Sequence, residues 1–184
     1  MDGEKNSISL WTCLHDGILE GIRYDPPGGI KLMVDSPFHC EFHKLPAETR
    51  IKIVGESVRQ QTAFSFEPWP DADNPPIREV GQRGRYICPD WRRYASELET
   101  EDERIILEAE LRTGDAESVL LLGIDGQSNW REVEIRTEHF RFFVGSRELS
   151  LAEFQAFGNA YWDDFATRAS DAKHREQKET LSNV

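Results

Sequence analysis

The clearest helical signal in the chain is a capping box, Ser150-Leu151-Ala152-Glu153. There the serine hydroxyl takes an orphan amide and the glutamate reaches back to the cap. Leu149 and Phe154 stand at the spacing of a hydrophobic staple across that start. Phe154, Phe157, Tyr161, Trp162, Phe165 and Ala169 then recur at helical spacing as one apolar stripe, which predicts a helix from Ser150 to Ala169. A stripe this aromatic has to be covered, so it fixes what the rest of the chain must provide. Gly158 lies within it at a cost of about 1 kcal/mol against alanine, which points to a close approach by a neighbouring element. Beyond Ser170 the residues are nearly all polar, and residues 171–184 read as a solvated tail, continued as helix or frayed.

What precedes the helix is a series of short β-type runs. Ile8 to Leu14 ends at His15-Asp16-Gly17, which is turn chemistry. Residues 18–25 and 30–35 flank Pro26-Pro27-Gly28-Gly29 and predict a hairpin, with Ile30, Leu32 and Val34 on a buried face and Ile18, Ile22 and Tyr24 sharing one across from it. Glu20 breaks that second pattern and marks an edge or a bend. Phe38-His39-Cys40-Glu41-Phe42-His43 alternates and reads as a strand with His39, Glu41 and His43 on one face. Strands are predicted over 50–58, 62–66, 105–112, 118–124, 130–136 and 139–144, with Ile105, Leu107, Ala109 and Leu111 on one face of the 105–112 run. Between Glu67 and Trp91 periodicity disappears; residues 67–76 hold four of the nine prolines, and Trp69, Tyr86 and Trp91 argue that this segment is anchored onto the body.

Many sequential strands followed by one helix is an α+β order with a predominantly antiparallel sheet, a sandwich or a partly open barrel, closed by a C-terminal amphipathic helix. At 184 residues the chain corresponds to about one domain, assigned to residues 1–170 with the irregular 67–91 segment inside it. The longest apolar run, Val119 to Ile124, is far short of the roughly 18 residues a membrane helix needs, and the first residues carry no apolar signal region. Cys13, Cys40 and Cys88 are odd in number and lack CxxC spacing, which fits a reducing cytoplasm better than a disulfide framework.

The net charge is −12, and residues 101–184 carry most of the excess, with 18 acidic against 10 basic side chains. Such a surface repels nucleic-acid backbones and anionic lipid and favours a basic partner. Phosphate cradles and nucleophile elbows are missing: there is no GxxxxGK[ST], no GxGxxG and no GxSxG. The best metal candidate is His39-x-Glu41-x-His43, since alternate strand residues lie about 6.6 Å apart on one face, with His15 or Asp16 as an outside ligand. Its competing reading is a solvent-facing strand surface, and that reading is preferred, so no metal and no cofactor is expected. His15-Asp16 reads as a turn rather than a catalytic pair, because neighbouring strand residues point to opposite faces unless a turn intervenes. No catalytic residue is assigned.

The segment Leu14-His15-Asp16-Gly17-Ile18-Leu19-Glu20-Gly21-Ile22, followed by the strand Ile30–Val34, resembles the His-Asp-containing entry of small bacterial immunity-type domains, the cytoplasmic antidotes of polymorphic toxin systems. Arg50 to Val58 is similar to a strand that follows in such domains, and the resemblance covers residues 13–58. It implies a β-rich fold and a binding role without catalysis. The expectation is therefore a non-catalytic, immunity-like protein-interaction module for a basic partner, with Trp69 and Trp91 as aromatic anchors beside Arg83 and Arg85. The alternatives are a small-molecule binder with a pocket between sheet and helix, or a metal-dependent enzyme at the His15, Asp16, His39, Glu41 and His43 cluster. The oligomeric state is left open, a homodimer included.

Overall fold

The computed structural model describes residues 6–25, 28–65, 77–78, 86–88, 104–126 and 130–182. Along the chain run β1 (Asn6–Ser9), α1 (Trp11–Leu14), β2 (Gly17–Asp25), β3 (Gly29–Asp35), α2 (Pro37–Phe42), β4 (Arg50–Glu56), β5 (Gln60–Ser65), β6 (Ile77–Arg78) and β7 (Tyr86–Cys88). They are followed by β8 (Arg104–Thr113), β9 (Ser118–Gly126), β10 (Trp130–Thr137), β11 (His139–Val144), β12 (Arg147–Leu149) and α3 (Leu151–Ser182). The strands join in one open antiparallel sheet in the order β12-β11-β4-β3-β2-β8-β9-β10-β5-β7-β6, with β1 added beside β8. The expected α+β class, an antiparallel sheet with a C-terminal helix, is the one found.

Two bent ribbons curl this sheet. β4 leads into β5 and β10 into β11, and the legs pair crosswise, β4 with β11 and β5 with β10. At the corner Glu138 N donates to Glu56 O at 3.2 Å and Arg59 N to Arg136 O at 2.8 Å. β10 is thereby drawn to the end of β4, which it follows only after four intervening strands in the sheet. The concave interior collects the period-two apolar sets: Ile30, Leu32 and Val34; Ile51 and Ile53; Leu120, Leu122 and Ile124; Val133 and Ile135.

Two bulges move side chains across the sheet. The register of β2 against β3 shifts between Leu19 and Gly21, so Glu20 does mark a bend. The extra residue reverses the parity: Leu19 and Ile22 are buried, whereas Ile18, expected beside Ile22, is exposed. A second shift between Ile106 and Glu108 does the same in β8, where Ile106 is fully buried in place of the expected Ile105.

α1 is a helical turn inserted into a strand. Leu10 N donates to Ala109 O before it and Asp16 N to Ile106 O after it, both at 2.9 Å, so β1, α1 and β2 follow one edge of β8. Asp16 leaves the turn at φ +60°, a left-handed conformation that aspartate tolerates.

Residues 38–43, expected as a strand, are helical instead: Phe38 to Phe42 lie in α2 and His43 caps it. Pro37 occupies the start of the helix, where its fixed φ fits and its missing amide costs nothing. Within the segment expected to be irregular, β6 and β7 are short strands. Trp69, Arg83, Arg85 and Trp91 lie outside the described residues.

α3 begins with the expected capping box: Glu153 N donates to Ser150 Oγ at 3.3 Å, and Ser150 N donates to Glu153 Oε2 at 2.8 Å. It runs past Ala169 to Ser182. Its stripe passes from buried to exposed along its length, with Phe154 fully buried against Phe142 at 4.9 Å and Phe165 exposed. Gly158 presses on α1, where an added β-carbon would stand 2.6 Å from Thr12 O. No helix among the described residues is long and apolar enough to cross a membrane.

Candidate functional site

The histidines singled out in the sequence belong to the helical cap. His39 on α2 and His43, which caps its C-terminal end, lie one turn apart and both stack on Phe157, at 5.3 and 4.1 Å. His39 is fully buried. Its Nε2–H donates to Thr12 O at 3.0 Å, and its Nδ1 accepts from the Ser36 hydroxyl at 2.7 Å. Burial pulls its pKa down to about 4, so the ring is neutral. His43 Nε2 donates to Phe157 O at 2.9 Å. These ring nitrogens are taken by backbone and hydroxyl partners, and Glu41 is exposed. The strand face of His39, Glu41 and His43 does not exist, because the segment is helical. Among the described residues no group of three or more histidine, cysteine or carboxylate side chains is placed to hold a metal.

His15 sits apart from that pair. Its ring stacks on Trp11 at 4.3 Å, and Nδ1 donates to Leu107 O, the bulged carbonyl of β8, at 3.2 Å. The turn at Asp16 does bring the neighbouring carboxylate round, but His15 Nε2 and Asp16 Oδ1 remain 3.5 Å apart, an ion-pair distance only when the ring is protonated. α3 presses Phe154, Phe157 and Gly158 against the body.

A groove of about 740 Å³ lies on the outer face of β8, β9 and β10. Its chemistry follows from register. Glu108, Gly123 and Glu132 stand opposite one another across the three strands, as do Glu110, Leu121 and Glu134. Two rows thus repeat carboxylate, apolar, carboxylate, with strands about 4.8 Å apart. The Trp130 ring crosses Gly123 so closely that a β-carbon there would lie 2.4 Å from it. Trp130 Nε1 donates to Glu132 Oε1 at 3.3 Å. Ser7, Ser9 and Trp11 wall the groove on the β1 side.

The carboxylates differ in their partners. Glu110 accepts from Arg112 Nε at 2.8 Å and from Nη2 at 3.2 Å, and also from Ser7 Oγ; Arg112 first and the hydroxyl second hold its pKa below the usual range. Arg136 Nε donates to Glu134 at 2.7 Å. Glu108 is exposed and has no cationic partner among the described residues. Among the described residues, four glutamates and one arginine line the groove, which is acidic there and has an apolar floor. The sequence signal that would have found it is the pair of Glu-x-Glu spacings, Glu108-Ala109-Glu110 and Glu132-Val133-Glu134, each placing two carboxylates on one strand face.

No known protein family, curated protein or solved structure matches the chain.

Proposed function

We propose that the protein is a non-catalytic, immunity-like interaction module of the bacterial cytoplasm, and that it binds a basic protein partner in the groove over β8, β9 and β10. The observation that carries this reading is the double row of Glu108, Glu110, Glu132 and Glu134 around Leu121 and Gly123. Such an arrangement offers negative charge at the walls and apolar contact at the floor. Two of the carboxylates are already held by Arg112 and Arg136, which fixes their positions before a partner arrives. Complementary charge accelerates encounter more than it deepens affinity.

The test uses the partner recovered by affinity capture from the source cell and measures association rates against ionic strength. The rate should fall steeply as the Debye length shrinks from about 30 Å at 0.01 M to about 8 Å at 0.15 M salt. Replacing Glu108 and Glu132 by lysine should flatten that dependence and slow association. A partner that associates at one rate across this range, with the double variant behaving as wild type, rejects the groove as the binding surface.

A further inference from the structure

Resting on that reading of the groove, we propose that its Trp11 end is an arginine-recognition site, in which a guanidinium of the basic partner stacks on the Trp11 indole and pairs with the Glu108 carboxylate. Trp11 is 36% exposed, unusual for a tryptophan in the inserted turn that the cap packs against. Its ring is nevertheless held in place. His15 stacks on it at 4.3 Å, Trp162 lies at 4.6 Å, and its amide donates to Ser9 Oγ at 3.2 Å.

His15 and Trp162 are only 5.7 Å from each other. Rings on opposite faces of Trp11 would stand about 9 Å apart, so the indole is not sandwiched and keeps a face for a ligand. The backbone bonds from Leu10 to Ala109 and from Asp16 to Ile106 pin α1 alongside the stretch of β8 that carries Glu108. Glu110, one row further on, is already held by Arg112. Glu108 is thus a carboxylate at the Trp11 end of the groove with no cationic partner among the described residues.

A fixed indole face with a free carboxylate distinguishes arginine from lysine. A guanidinium is planar and weakly hydrated; it stacks on an aromatic ring while its fork addresses a carboxylate. An ammonium gains the carboxylate but keeps its water. The groove as a whole attracts either cation; the Trp11 end prefers one.

The experiment titrates the full chain with hexa-arginine and with hexa-lysine at 0.15 M salt, and follows the indole N–H resonance of Trp11. Hexa-arginine should bind about tenfold tighter, the size of one well-formed cation–π contact, and should shift the Trp11 resonance. Trp11→Leu should bring the two peptides to within twofold by weakening hexa-arginine alone. Glu108→Gln, a change at an exposed position, should weaken both peptides but hexa-arginine the more, because only the guanidinium fork engages both carboxylate oxygens, and so should narrow the same gap. Equal binding of the two peptides by the wild type, or an undiminished gap in Glu108→Gln, overturns the arginine site and leaves the acidic groove standing. Binding of neither peptide overturns both.

Discussion

A β-carbon on Gly158 would stand 2.6 Å from the carbonyl oxygen of Thr12, so α3 and α1 touch backbone to backbone. That carbonyl also accepts from His39 Nε2 and from Trp162 Nε1, each at 3.0 Å. One oxygen in the inserted turn therefore joins α1, α2 and α3.

Gly158→Ala should destabilise the protein, although alanine is favoured in a helix interior by about 1 kcal/mol. The added methyl meets Thr12 O, Thr12 C and Cys13 N, all backbone atoms that cannot swing aside. Overpacking of that kind costs roughly 1–3 kcal/mol and should outweigh the gain. Urea unfolding is the measurement; a raised midpoint would show that the helices separate at no cost.

Phe154→Ala should cost about 3–5 kcal/mol, as expected for a fully buried aromatic. Trp162→Ala should cost less, about 2 kcal/mol, because Trp162 is half-buried and Thr12 O keeps its bond from His39. Equal losses for the two would contradict the gradient of burial along α3.

Stability should fall as the pH drops from about 6.5 to about 4, the interval between the ordinary and the folded values for His39. Below 6.5 the unfolded chain takes up a proton that the buried ring refuses, so protons favour unfolding; above 6.5 the two states agree and the dependence vanishes. Over the whole interval the loss approaches about 3 kcal/mol. His39→Gln keeps a hydrogen-bonding group and should flatten this part of the profile in urea titrations at pH 7, 6 and 5. A wild-type profile already flat between pH 7 and 5 would contradict a neutral buried His39.

Cys13 and Cys40 should resist alkylation in the native protein. Burial raises the Cys13 thiol to about 11 and also raises that of Cys40, so neither supplies thiolate near neutral pH. Peptide mass analysis after brief iodoacetamide treatment at pH 8 reports both sites. Labelling of Cys13 at the rate of a free thiol would reveal that α1 and α3 open readily.

Legibility in the sequence followed the range of the interactions. The capping box and the alternation of Ile30, Leu32 and Val34 are local, and both appear as read. Residues 38–43 satisfied a period of two by composition, yet Ser36-Pro37 set a helix start, and Tyr161 packs on Phe38 and Phe42 from a distant element. Ile18 and Ile105 changed faces because a bulge adds one residue, and nothing in simple alternation marks where that happens. The groove was hidden for a related reason. Glu108 and Glu132 are two carboxylates on different strands until register sets Gly123 between them. His39 and His43 invited a ligand reading because strand geometry would have turned them to solvent, whereas α2 turns them onto Phe157.

The bond from Trp162 to Thr12 spans 150 positions of sequence, so the cap closes only after residues 151–162 have been made. Chain closure over such a distance carries an entropic cost that local strand pairing does not. During synthesis the sheet can assemble while Cys13 and Phe142 still lack Phe154, waiting for residues 151–162 to leave the ribosome. A nascent chain stalled before that point presents an uncovered apolar end, and it is there that holdase chaperones would engage it and premature termination would lead to aggregation.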